Sequence, residues 1–229
     1  MALLEKTFKP APEELARANF YGLLARLFYA PPDARLLERL AGAEILAGDE
    51  GVMPDAWQAL VWAAARADVD AVHEAYDSAF AGTRKSRLSL YATAYMLRGS
   101  PKARLVALRA DLAEFGLARH ARSHEPVDHI AGLCDVMRHL IQTRKRALAQ
   151  QGRFFERWIA PAAQPLCDAV AKQMRSTFYE HVARLAGAFF DIERCAFEMA
   201  VAETPRRFGS WNEPDTCFLQ TRTTSGAIR

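Results

Sequence analysis

Apolar residues return at helical spacing through most of this chain, and nowhere do they settle into the alternation of a half-buried strand. From Glu13 to Tyr29, Leu15, Ala18, Phe20, Leu23, Leu24, Leu27 and Phe28 form one broad stripe, which Pro31-Pro32 closes. The stretch Asp33 to Ala47 reads as a second helix, and a third is expected around Trp57 to Ala65 after the break AGDEGVMPD. Asp68 is placed to cap a fourth, in which Val72, Ala75, Tyr76, Ala79 and Phe80 fall together. Pro101 opens a helix to about Phe115, with Gly116 as its stop. Ile130, Leu133, Cys134, Met137, Leu140 and Ile141 mark a helix that runs towards Gln150 and breaks at Gly152. Two long helices follow, over 153–174 and 177–200. The spacing predicts an all-α fold, a single compact domain of about eight helices over residues 1–202, with 203–229 as a mobile tail.

Length and charge exclude more than they assign. At 229 residues, with 51% apolar and 25% charged residues, the chain can bury one substantial core. A formal net charge of +3 implies neither nucleic acid nor membrane partners, so any charge argument must be local. No apolar run approaches the ~18 residues that span a bilayer, and MALLEKTFKPAPEEL does not read as a signal peptide. Cys134, Cys167, Cys195 and Cys217 are scattered without zinc-ligand spacing, which suits reduced thiols in a cytoplasmic protein. The nucleophile elbow, the P-loop and the dinucleotide fingerprint are all missing, so neither catalysis nor a bound cofactor is expected.

HEPVDH, residues 124–129, concentrates polar chemistry. Its histidines are five residues apart, roughly 140° around a helix, and Pro126 lies between them, so the zinc-protease geometry fails and no metal site is expected. Two readings remain. One is a helix start, with Ser123 or Glu125 near the cap and Glu125 and Asp128 complementing the helix dipole. The other keeps that geometry and uses the two carboxylates to accept hydrogen bonds from a guanidinium. The connection over 81–100 is long for a compact helical domain and holds Tyr91 and Tyr95, either as core beneath the loop or as a contact surface. The basic run 138–153 fits a solvated helix face; a helical nucleic-acid-binding regulator is the alternative from another class.

EPVDH followed by an amphipathic helix resembles the E-P-x-D-H signature of the TorD/DmsD/NarJ family of molybdoenzyme maturation chaperones. YDSAF at 76–80, SLYATAY at 89–95, FFERWIAPAAQPL at 154–166 and FYEHVARLAGAFF at 178–190 resemble further family segments in the same order, together spanning roughly residues 12–200. Leu90 stands where the family often has proline, and Ala92 where it has glutamate. The resemblance implies a cytoplasmic chaperone without turnover. Its implied partner is the apo catalytic subunit of a molybdenum enzyme of the dimethyl sulfoxide reductase type, held through its twin-arginine leader until cofactor insertion. It also places Glu125, Pro126, Asp128 and His129 at the client-binding surface, with Tyr91 and Tyr95 as apolar contacts. Glu125 and Asp128 are then expected to accept arginine, Pro126 to fix a turn and His129 to form a polar wall. No nucleic acid and no stable membrane insertion are implied, and the chain is expected as a monomer or a domain-swapped homodimer. In the tail, Arg206-Arg207 beside Phe208 is either an accidental pair or an imitation of such a leader.

Overall fold

The computed structural model describes residues 11–44, 51–81, 88–97, 99–118, 126–143 and 148–203. Among them the fold is all-α, and the only β feature is an isolated bridge between Tyr91 and His129. The helices are α1 (Pro12–Tyr29), α2 (Ala34–Ala41), α3 (Val52–Ala65), α4 (Val69–Tyr76), α5 (Pro101–Glu114), α6 (Ile130–Gln142), α7 (Leu148–Phe154), α8 (Ala160–Gln173) and α9 (Phe178–Glu203). None is long and apolar enough to cross a membrane. Of the expected tail at 203–229, Glu203 ends α9 and 204–229 lie outside the described residues, as do Glu125 and the RKSR run at 84–87.

Local chemistry sets most of the helix ends. Pro12 and the acidic Glu13 and Glu14 open α1, where the missing proline N–H costs nothing and the carboxylates meet the dipole. Asp33 and Asp68 cap α2 and α4 by accepting from the Leu36 and Ala71 amides, each at 2.9 Å. Ser100 caps α5, and Gly116, with φ +71°, ends it while the Leu117 N–H reaches back to the Leu112 carbonyl at 2.9 Å. Four boundaries differ from the sequence reading. Helix α6 ends at Gln142, well short of the expected Gln150, with Thr143 already extended. Helix α2 stops at Ala41 with Gly42 as its cap. Helix α3 begins at Val52 and takes in Pro54, which the first turn tolerates. Gly152 breaks nothing; it sits inside α7, where an added Cβ would stand 3.1 Å from Phe197 Cδ1.

The expected helix over 153–174 is a rod with a fault. Phe155–Ile159 is π-helical between α7 and α8, and the Ala160 N–H donates to the Phe155 carbonyl five residues back. Pro161 lacks the N–H that would bond back into the widened turn, and Pro165 removes a second donor one turn further on, inside α8. Asp111 of α5 ties the widened turn down, accepting from Trp158 Nε1 at 2.7 Å and Arg157 Nη1 at 3.0 Å. A second π-helical stretch, Asp77–Ala81, continues α4. With the rod counted once, eight helical segments are described, in one compact body.

Helix α9 is the axis. At 26 residues it runs about 39 Å. It packs on α8 and α3, with α1, α4 and α7 completing its surroundings, while α1 lies along α6. Tyr21, Phe28, Leu60, Met137, Phe155 and Tyr179 are fully buried between them. The core is crossed by one polar group of residues. Glu193, 1% exposed on α9, accepts from Arg17 Nε at 2.6 Å, Arg17 Nη2 at 2.8 Å and the Tyr21 hydroxyl at 3.0 Å. Arg17 also donates to Gln151 Oε1 at 3.3 Å and lies over the Phe197 ring. Burial pushes the Tyr21 phenol well above its ordinary range, and the Glu193 charge adds to the shift.

Candidate functional site

Two short segments clasp each other at the start of α6. The Ala92 N–H donates to the Asp128 carbonyl at 2.9 Å, and the Ile130 N–H donates to the Leu90 carbonyl at 2.8 Å. The pairing sets Tyr91 opposite His129. Leu88 and Leu90 anchor their segment in the core, and Ala92 follows them in. The leucine at 90, where the resemblance leads one to expect proline, therefore serves as a buried anchor.

His129, and not Ser123 or Glu125, caps α6. Its Nδ1 accepts from the Ala131 N–H at 3.2 Å, which puts the ring proton on Nε2. The His129 N–H itself donates to the Pro126 carbonyl at 3.2 Å, so Pro126 closes a turn ahead of the helix instead of occupying its first turn. Asp128 is 3% exposed, and its Oδ2 accepts the Thr93 hydroxyl at 2.5 Å. Buried and already engaged by Thr93, Asp128 presents little open carboxylate to a guanidinium from solvent. Arg104 of α5 secures the same loop by donating to the Thr93 and Gly99 carbonyls. Thr93 and Arg104 escape sequence reasoning because neither shares a helix face or a motif with EPVDH.

Beside the clasp lies a pocket of about 420 Å³ lined by Tyr29, Tyr76, Phe80, Leu88, Tyr91 and His129. The imidazole is met edge-on by Tyr91, with centroids 5.5 Å apart, and by Tyr29 at 6.5 Å. Tyr29 is 60% exposed and Tyr91 37%, whereas His129 is nearly buried. The Tyr76 hydroxyl donates to the Phe28 and Tyr29 carbonyls at 3.1 and 3.0 Å, fixing the end of α1 that carries Tyr29. Tyr29 was missed at the sequence level. Its only signal was that it closes the first apolar helix without belonging to the buried stripe. Tyr95 goes elsewhere: its hydroxyl donates to the Ser89 carbonyl at 2.8 Å, its ring packs on the core, and burial pushes its phenol up.

The arrangement offers aromatic faces and hydrogen-bonding edges. Among the described residues no three histidine, cysteine, aspartate or glutamate side chains converge to hold a metal ion. Burial pushes the Cys134 thiol well up and that of Cys167 to about 12, so neither presents a thiolate. In the basic run, Arg138 lays its stem against Gly22 of α1 and its guanidinium 3.9 Å from Asp135.

Fold and site thus define an all-helical domain in which a clasped helix start opens onto an aromatic pocket. The chain belongs to the nitrate reductase delta subunit family, whose model matches residues 49–191. This is a family of molybdoenzyme maturation chaperones, a maturation family and not a catalytic one. Comparison with curated proteins finds no match. The matched span contains the whole clasp and most of α9 but omits α1, which supplies Tyr29.

Proposed function

We propose that this protein is a cytoplasmic, non-enzymatic chaperone that holds the apo catalytic subunit of a molybdenum enzyme of the dimethyl sulfoxide reductase type. Its site is the clasp and the pocket beside it. The client segment is a leader peptide with paired arginines followed by apolar residues. The observation that carries this reading is the pocket itself: two partly exposed tyrosines flank a histidine whose backbone and Nδ1 are already committed to the fold. Such a wall is rigid before a peptide arrives, so little ordering entropy is lost on binding. Tyr29 and Tyr91 supply apolar and cation–π contact, at ~0.5–2 kcal/mol per arginine. Glu125 remains the candidate acceptor for an arginine. Asp128, His129 and Pro126 act by shaping the wall, and Tyr95 by holding the loop behind it.

Calorimetric titration tests the reading. A leader peptide with its arginine pair is titrated into the wild-type protein and into Tyr91→Ala, Tyr29→Ala and Glu125→Ala variants, and the titration is repeated with both arginines replaced by alanine. Expected are binding to the wild type and a loss of about tenfold or more in each variant and with the altered peptide. Unchanged binding in all three protein variants would move the site away from the clasp.

A further inference from the structure

A second apolar surface lies where α9 ends, and its α9 wall lies beyond the residues that the family model matches. Leu148, Ala149 and Gly152 of α7 face Phe197, Ala200 and Val201 of α9 across a groove of about 550 Å³. Leu148 is 46% exposed and Val201 74%, which leaves large apolar side chains in solvent at one end of the molecule. Gly152 opens the groove floor, since any side chain there would meet the Phe197 ring. The rim carries Glu156, Glu198 and Arg153, a net negative edge. Glu198 is paired with Arg194, while Glu156 has no ion pair among the described residues.

We propose that this groove is covered by the chain's own residues 204–212, TPRRFGSWN, with Phe208 and Trp211 seated on Phe197 and Val201 and Arg206-Arg207 facing Glu156 and Glu198. Four features choose this occupant. The chain leaves α9 at Glu203, two residues past the lining residue Val201, so the segment is delivered to the groove at no cost in association. Pro205 has no N–H with which to continue the helix, so the chain can turn there. Phe208 is five positions beyond Glu203, a reach of up to ~17 Å, against the ~9 Å along α9 from Glu203 back to Phe197. Finally, the segment holds two arginines and no acidic residue, complementary to the rim. The arginine pair is thereby assigned to a place remote from the clasp and independent of leader binding there.

Hydrogen exchange on the full-length chain tests this. Wild type is compared with the double variant Phe208→Ser/Trp211→Ser, with Arg206→Glu/Arg207→Glu, and with Phe218→Ser as a tail control, at two protein concentrations. In the first variant, amides of 148–154 and 197–203 should exchange about ten- to a hundredfold faster, the factor that burial of one phenylalanine corresponds to. The charge-reversed variant should show a salt-sensitive increase of about two- to fivefold. The Phe218→Ser control and the amides of α1 and α6 should not change. Equal rates in wild type and the Phe208→Ser/Trp211→Ser variant overturn the proposal. Protection that rises with protein concentration also overturns it and gives the groove to a second copy.

Discussion

At the scale of the residue, the EPVDH segment does two jobs with neighbouring side chains. His129 spends one ring nitrogen on the start of α6 and stands nearly perpendicular to the rings of two tyrosines. His129→Ala should therefore destabilise the fold by about 0.5–2 kcal/mol in thermal or denaturant unfolding, while His129→Asn, itself a capping residue, should recover most of the loss. Asp128 is committed inward to Thr93. Asp128→Ala leaves a buried hydroxyl without its acceptor and should cost about 1–3 kcal/mol. Combining it with Thr93→Val should cost less than the sum of the two single changes, which a double-mutant cycle reads directly. The motif was legible in sequence. Its division of labour was not, because burial decides which carboxylate meets solvent, and burial depends on the loop that folds over it.

At the scale of the element, caps and prolines placed three helix starts where the residues predict them, at Asp33, Asp68 and Pro101, and α1 opens one residue before the expected Glu13. The misses have local causes. Gly152 looks like a breaker in one dimension but is a contact in three, because the Phe197 ring occupies the space a side chain would need. Gly132 in α6 has nothing within 4 Å of an added Cβ. Gly132→Ala should thus stabilise by roughly 0.5–1 kcal/mol through helix propensity. Gly152→Val should instead destabilise by about 1–3 kcal/mol, since buried Phe197 has little room to move. Unfolding midpoints of the two variants, shifted in opposite directions, would separate propensity from packing. The π-helical turn at 155–159 is traceable to Pro161 only in hindsight, since a bulge is one of several ways a helix absorbs a missing donor.

At the scale of the whole molecule, α1, α7 and α9 meet at Glu193. The carboxylate is out of water, and Arg17 and Tyr21 supply its partners there. Glu193→Ala should cost about 3–5 kcal/mol by stranding Arg17, whereas replacing both partners with apolar residues of similar volume should cost far less. Burial raises the phenols of Tyr21 and Tyr179 and the thiol of Cys134 in the folded state. Raised values mean that this contribution is intact below the ordinary phenol and thiol range. It is lost as pH climbs through that range, because the unfolded chain ionises first. Denaturant midpoints should therefore be flat near neutrality and fall on the alkaline side, above about pH 9–10.

By itself, the sequence determined the fold class, most helix starts, the family and the position of the polar motif. Those depend on residue types at fixed short spacings, which the backbone geometry of a helix converts into faces and ends. Only the tertiary structure decided that Tyr29 joins Tyr91 at His129, that Asp128 turns inward, that Tyr95 leaves the pocket and that Arg17 finds Glu193. These pairs are 35 to 176 residues apart or turn on which face of a loop is buried, and no periodicity carries that information. Packing chooses among side chains that local propensity treats alike.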